Sequence, residues 1–174
     1  KVFNDLKTRG CNDILIAGNV CNATGSSVGT QGHCFYISNG SRIRLLWNIA
    51  RGAPGYGIHI FDQQRSSNDM RRVIADVLVQ GNLLAGSTER SGMIIAMGDE
   101  GNRGNTIRGV TVRGNTFSAN NHAGLVIGER SRAITVSANR FVKNGRLSVY
   151  VTGTPTIDGV AITRNLFDQR TNTN

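Results

Sequence analysis

A nine-residue phrase recurs along this chain, and its recurrence restricts the fold more than any other feature. The clearest copy is GVTVRGNTF, from Gly109 to Phe117, where Val110 and Val112 alternate with polar neighbours ahead of Asn115. The phrase returns as DILIAGNVC (Asp13 to Cys21), RIRLLWNIA (Arg42 to Ala50), DVLVQGNLL (Asp76 to Leu84), AITVSANRF (Ala133 to Phe141) and GVAITRNLF (Gly159 to Phe167). Its Asn stands at positions 19, 48, 82, 115, 139 and 165, giving spacings of 29, 34, 33, 24 and 26 residues. Self-similarity at such a period marks a solenoid.

A second apolar phrase precedes each later copy: CFYIS from Cys34, GIHIF from Gly57, GMIIA from Gly92, GLVIG from Gly124 and SVYVT from Ser148. Each is short, alternating and bounded by Gly, Asn or Ser, which reads as a strand. No window carries a capped helical stripe. Two strands per coil, repeated about six times, predict an all-β parallel β-helix, in which each coil buries its neighbours' inward residues. The chirality of parallel crossovers makes it right-handed.

Alternation assigns the inward columns. In the Asn-bearing strand they are Ile14/Ile16, Ile43/Leu45, Val77/Val79, Val110/Val112, Ile134/Val136 and Val160/Ile162. In the other they are Phe35/Ile37, Ile58/Ile60, Met93/Ile95, Leu125/Ile127 and Val149/Val151. The Asn residues should stack as a side-chain ladder at the bend, their amides satisfying backbone groups left unpaired there. Phe117, Phe141 and Phe167 form a further column that Cys21, Ala50 and Leu84 continue.

The whole of 1–174 reads as one solenoid domain, with 168–174 an Asn- and Thr-rich tail. Little sequence precedes the first repeat, so the chain reads as a piece of a longer solenoid. It contains no run of 18 apolar residues, so no transmembrane helix and no membrane partner are expected. Of the three cysteines, Cys21 falls in the stacking column and reads as a small buried hydrophobe, while Cys11 and Cys34 are free to pair. No Cys/His cluster has zinc spacing, and no cofactor is expected. The loop Gly98 to Asn105 offers Asp99 and Glu100 for calcium, although two carboxylates alone more often make a solvated turn.

Net charge is +9, and 17 of the 20 cations are Arg, whose planar fork matches carboxylate, sulfate and phosphate. An acidic polysaccharide is the expected partner, ahead of nucleic acid; the bland alternative is charge that keeps a solenoid soluble. The candidate chemistry clusters on two adjacent coils. Tyr36 and His59 occupy one outward column, His33 and Tyr56 share the preceding one, and Asp62 and Arg65 follow at the strand end. Arg42 and Arg44 are further candidates for holding substrate. Such a patch suits proton transfer at C5 of a uronic acid. Arg65 would neutralise the sugar carboxylate, and His59 or Tyr36 would remove the proton. The outcome would be β-elimination or epimerisation. The later column members Ile94 and Val126 are apolar and suit a contact with a loop or with another copy of the chain.

From Asp13 to Phe167 the repeats resemble the right-handed parallel β-helix superfamily of pectate-lyase-like proteins. That superfamily includes polysaccharide lyases, glycoside hydrolases, uronan epimerases, phage tailspikes and periplasmic copper-pathway proteins. Within it, Tyr56-Gly-Ile-His-Ile-Phe-Asp62 resembles the YGFDPHD motif of mannuronan C5-epimerases, keeping Tyr56, Gly57 and Asp62 and placing His59, Ile60 and Phe61 where that family has Asp-Pro-His. The resemblance implies a secreted, cell-surface or periplasmic protein with a surface groove for acidic glycans. Two readings stand: a lyase or epimerase, and a non-catalytic module that binds glycans or builds an assembly.

Overall fold

The structure, a computed structural model, describes residues 12–23, 29–62, 73–97, 106–153 and 157–168. Its strands form three parallel sheets, of six, six and five strands, each built from one strand per coil. This is the expected right-handed parallel β-helix of about six coils. The first sheet holds Leu15–Ala17, Gly40–Leu46, Val73–Gln80, Thr106–Arg113, Ser131–Ser137 and Asp158–Thr163. The second holds the three-residue strands Val20–Asn22, Ile49–Arg51, Leu83–Ala85, Thr116–Ser118, Arg140–Val142 and Leu166–Asp168. The third holds Phe35–Ile37, Ile58–Asp62, Met93–Met97, Ala123–Ile127 and Leu147–Val151.

The expectation of two strands per coil is therefore corrected to three. The recurring phrase is two strands divided by a corner at its Asn, and the residues after the Asn pair as a sheet of their own. Just before each Asn the chain takes a positive φ, at Gly18, Trp47, Gly81, Gly114, Ala138 and Arg164. Asp168, assigned to the tail from sequence, ends the last strand of the second sheet.

Each corner places polar backbone in the interior, and the Asn side chain satisfies it. Asn115 accepts at Oδ1 from the Asn82 backbone N–H at 2.8 Å and from its Nδ2 at 2.9 Å. Its own Nδ2 donates to Val79 O at 2.9 Å, Arg113 O at 3.1 Å and Asn139 Oδ1 at 2.9 Å. The same pattern joins Asn19, Asn48, Asn82, Asn115, Asn139 and Asn165 into one ladder. A second, shorter ladder went unforeseen: the Ser87 N–H donates to Asn120, and Asn120 donates to Asn144. The signal was present, because Ser87, Asn120 and Asn144 each lie five residues after a ladder Asn.

The inward columns are buried as expected across the middle coils, with Ile43, Leu45, Val79, Val112 and Ile134 fully enclosed. Register does this: Val110 lies beside Val77 and Ile134. Phe117 and Phe141 stack face to face at 4.7 Å, and Phe141 meets Phe167 at 5.3 Å. On the last coil the assignment fails. Val151, Ile162 and Phe167 are 44, 41 and 50% exposed, because no further described strand covers them.

The cysteine expectation is also corrected. Alternation turns Cys21 inward beside Ala50, and from there it forms a disulfide with Cys34, their Cα atoms 5.7 Å apart. Cys21 is thus half of a crosslink between the first coil and the start of the third sheet. Cys11 lies outside the described residues.

Two outcomes follow. Asn115→Ala removes five ladder hydrogen bonds and strands buried backbone groups. It should cost about 3 kcal/mol in urea unfolding, whereas the same change at the exposed Asn22 should cost little. Non-reducing peptide mapping should recover a Cys21–Cys34 peptide, and Cys34→Ser should lower stability by about 3 kcal/mol.

Candidate functional site

The third sheet carries the site, and its register assembles it. Tyr36 lies beside His59, whose column continues through Ile94 and Val126 to Tyr150, as the sequence predicts. His33 and Tyr56 stack at 5.6 Å between ring centres. Four rings surround His59: His33 edge-on at 4.2 Å, Tyr36 at 4.7 Å, Phe61 at 4.8 Å and Tyr56 at 4.9 Å. Sequence alone had not placed Phe61 in the cluster, although its position two residues beyond His59 on one strand puts both on the same face.

Local backbone holds the cluster tightly. The Tyr56 N–H donates to His33 Nδ1 at 3.0 Å, so the His33 ring proton resides on Nε2. Gly55 passes so close beneath His33 that a Cβ there would lie 2.3 Å from Nδ1 and 2.5 Å from Thr30 O. Only glycine allows the corner and the imidazole to share this space. Thr30 and Gln31, on the 3-10 turn Gly29–Gln31 that lies between the two bonded cysteines, complete one rim. Arg90, exposed, completes the other. Between them lies an open cavity of about 180 Å³.

The electrostatics of the cluster follow from burial. His59 is only 9% exposed, and its Nδ1 has no hydrogen-bond partner. Burial pushes its imidazole from an ordinary 6.5 down to about 2, with His33 and Arg90 adding repulsion of the protonated form. Burial likewise pushes the Tyr56 phenol up, and Arg90 opposes this in smaller measure. At neutral pH both groups are uncharged. A general base needs affinity for a proton near the working pH, and His59 has lost that affinity.

The other sequence candidates separate. Arg42 and Arg44 project from the first sheet, where Arg42 pairs with Asp13 at 2.6 Å and Arg44 with Asp76 at 3.2 Å. The hydrogen bond from Arg42 holds the Asp13 carboxyl below its usual range. Neither arginine joins the ring cluster. Asp62 ends its third-sheet strand with its backbone paired to Met97. The roles expected of its side chain and of Arg65, and the calcium site expected at Asp99 and Glu100, lie outside the described residues. Among the described residues, no helix is long and apolar enough to cross a membrane.

The depressed His59 basicity has a measurable consequence. Between pH 6.5 and about 2 the unfolded chain binds a proton there that the folded chain refuses. This group's contribution to stability is fully present above pH 6.5 and falls as pH drops, by about 1.4 kcal/mol per unit. Denaturant unfolding at a series of pH values should show a shallower acid slope in His59→Phe than in the natural chain. Ring NMR shifts of His59 that titrate near 6.5 would contradict the assignment.

Comparison with known proteins adds one finding. The family model described as "Periplasmic copper-binding protein (NosD)" matches residues 35–174. No curated protein and no solved structure matches the chain.

Proposed function

The chain belongs to the NosD family of periplasmic β-helix proteins, and we propose that this member binds an acidic glycan at the His33–His59 cluster without processing it. The observation that carries the reading is a cavity walled by aromatic rings, with an exposed guanidinium at its rim. Ring faces suit the C–H faces of a pyranose, a neutral phenol or imidazole N–H suits its hydroxyls, and Arg90 suits a carboxylate. The chain's net charge of +9 favours the approach of such a polymer. Proton transfer is not part of the reading, because burial holds the imidazole at the centre of the cluster neutral and weakly basic.

The copper of the family description needs a donor set, and the described residues do not supply one. Among them no three His, Cys, Asp or Glu side chains converge. Cys21 and Cys34 are bonded to each other, His33 Nδ1 already accepts the Tyr56 N–H, and Met93 and Met97 are buried. Copper therefore enters no step of this reading.

Calorimetric titration with oligogalacturonate and oligomannuronate should detect binding that Arg90→Ala weakens about tenfold or more. Proton NMR of the same mixtures after long incubation should show unchanged sugars. Failure of both ligands to bind, or an Arg90→Ala variant that binds as well, would sink the binding site. New unsaturated chain ends or altered uronic-acid ratios would replace binding with catalysis.

A further inference from the structure

The third sheet holds a second hollow beside the first, and a run of shrinking side chains creates it. Phe61 lies beside Ala96 on the next strand. Gly128 follows, close enough that a Cβ there would stand 2.7 Å from the Ala96 Cβ. Ile94 and Val126, the apolar continuation of the Tyr36–His59 column, form the adjoining wall. The resulting cavity is about 230 Å³. It shares Phe61 and Ile94 with the His33–His59 cavity, so the two are compartments of one groove running across the coils. His59 and Val126 stand two strands apart, roughly 10 Å.

The compartments differ in chemistry. The first has polar rings and the Arg90 guanidinium, whereas the second has an apolar floor with the Glu129 carboxylate and Thr152 at its edge. A carboxylate there repels a second uronic acid and accepts a hydrogen bond from an N–H. The apolar floor accepts a methyl group. A 2-acetamido sugar carries both complements, an amide N–H and a methyl.

We propose that the second compartment takes a 2-acetamido sugar, so that the ligand class is a glycan in which a uronic acid adjoins an N-acetylated hexosamine. The inference rests on the acidic-glycan reading of the first compartment and names the neighbour that reading leaves open. Arg90 recognises the charged unit. Glu129 and the Ala96–Gly128 floor recognise the next.

Calorimetry with a hyaluronan oligosaccharide, in which glucuronate alternates with N-acetylglucosamine, and with oligogalacturonate of equal length separates the outcomes. Hyaluronan should bind about tenfold more tightly. Ala96→Leu, which fills the hollow, should abolish that advantage by weakening hyaluronan the more strongly of the two. Glu129→Gln preserves the packing, and it should narrow the gap by weakening hyaluronan and strengthening oligogalacturonate. Arg90-dependent binding of oligogalacturonate with no preference for hyaluronan overturns this inference alone. Loss of both ligands overturns the reading beneath it. A concentration-dependent dimer that Ala96→Leu dissociates assigns the hollow to self-association and overturns the proposal.

Discussion

The rest of this structure depends on one hydrogen-bond pattern, repeated: the amide oxygen of one Asn accepting from the backbone and side chain of the Asn on the preceding coil. A solenoid corner forces polar backbone into an apolar interior, where an unpaired group costs about 1–3 kcal/mol. Asn can settle that account because its amide both donates and accepts. Asn48, Asn82, Asn115 and Asn139 are 1% exposed or less and fully engaged. With the corners locked, the strands on either side have a single register. A slip of one residue would turn every inward Val and Ile outward.

That register is also what builds the groove. Side chains 23 residues apart, Tyr36 and His59, become stacked neighbours because their strands are adjacent in the third sheet. The same column changes from polar rings to Ile94 and Val126 within two coils, and the neighbouring column shrinks from Phe61 to Gly128. A groove with two chemistries arises from the change of side chains along adjacent strands. Glycine contributes where the chain must pass against a ring of the cluster, at Gly55 beneath His33.

Placing an imidazole among four other rings changes what it can do. A surface His on a strand is a proton carrier near neutral pH. Enclosed by Tyr36, Tyr56, Phe61 and His33, the same side chain becomes a neutral aromatic face. This favours recognition over acid–base chemistry for this member of a periplasmic β-helix family. Arg42 and Arg44, two of the arginines expected to assist at the site, pair with Asp13 and Asp76 away from the ring cluster, and Arg90 stands at the rim.

Much of this was legible in the linear chain. Periodicity alone yielded the parallel solenoid, the Asn ladder, the inward columns of the middle coils and the pairing of Tyr36 with His59. Each of these depends on residues at a constant offset within a repeat, and a one-dimensional pattern records offsets directly. Other features are set by distances between non-equivalent parts of the coil, which no repeat encodes. The third strand per coil needed the corner to be seen as a corner, and the Cys21–Cys34 crosslink needed the two cysteines to be brought within reach of each other. The loss of basicity at His59 needed the burial that four surrounding rings impose, since a pKa is a property of surroundings. Sequence determined which residues stack; tertiary structure decided which of them water can reach, because accessibility depends on how the three sheets and their loops close around a point.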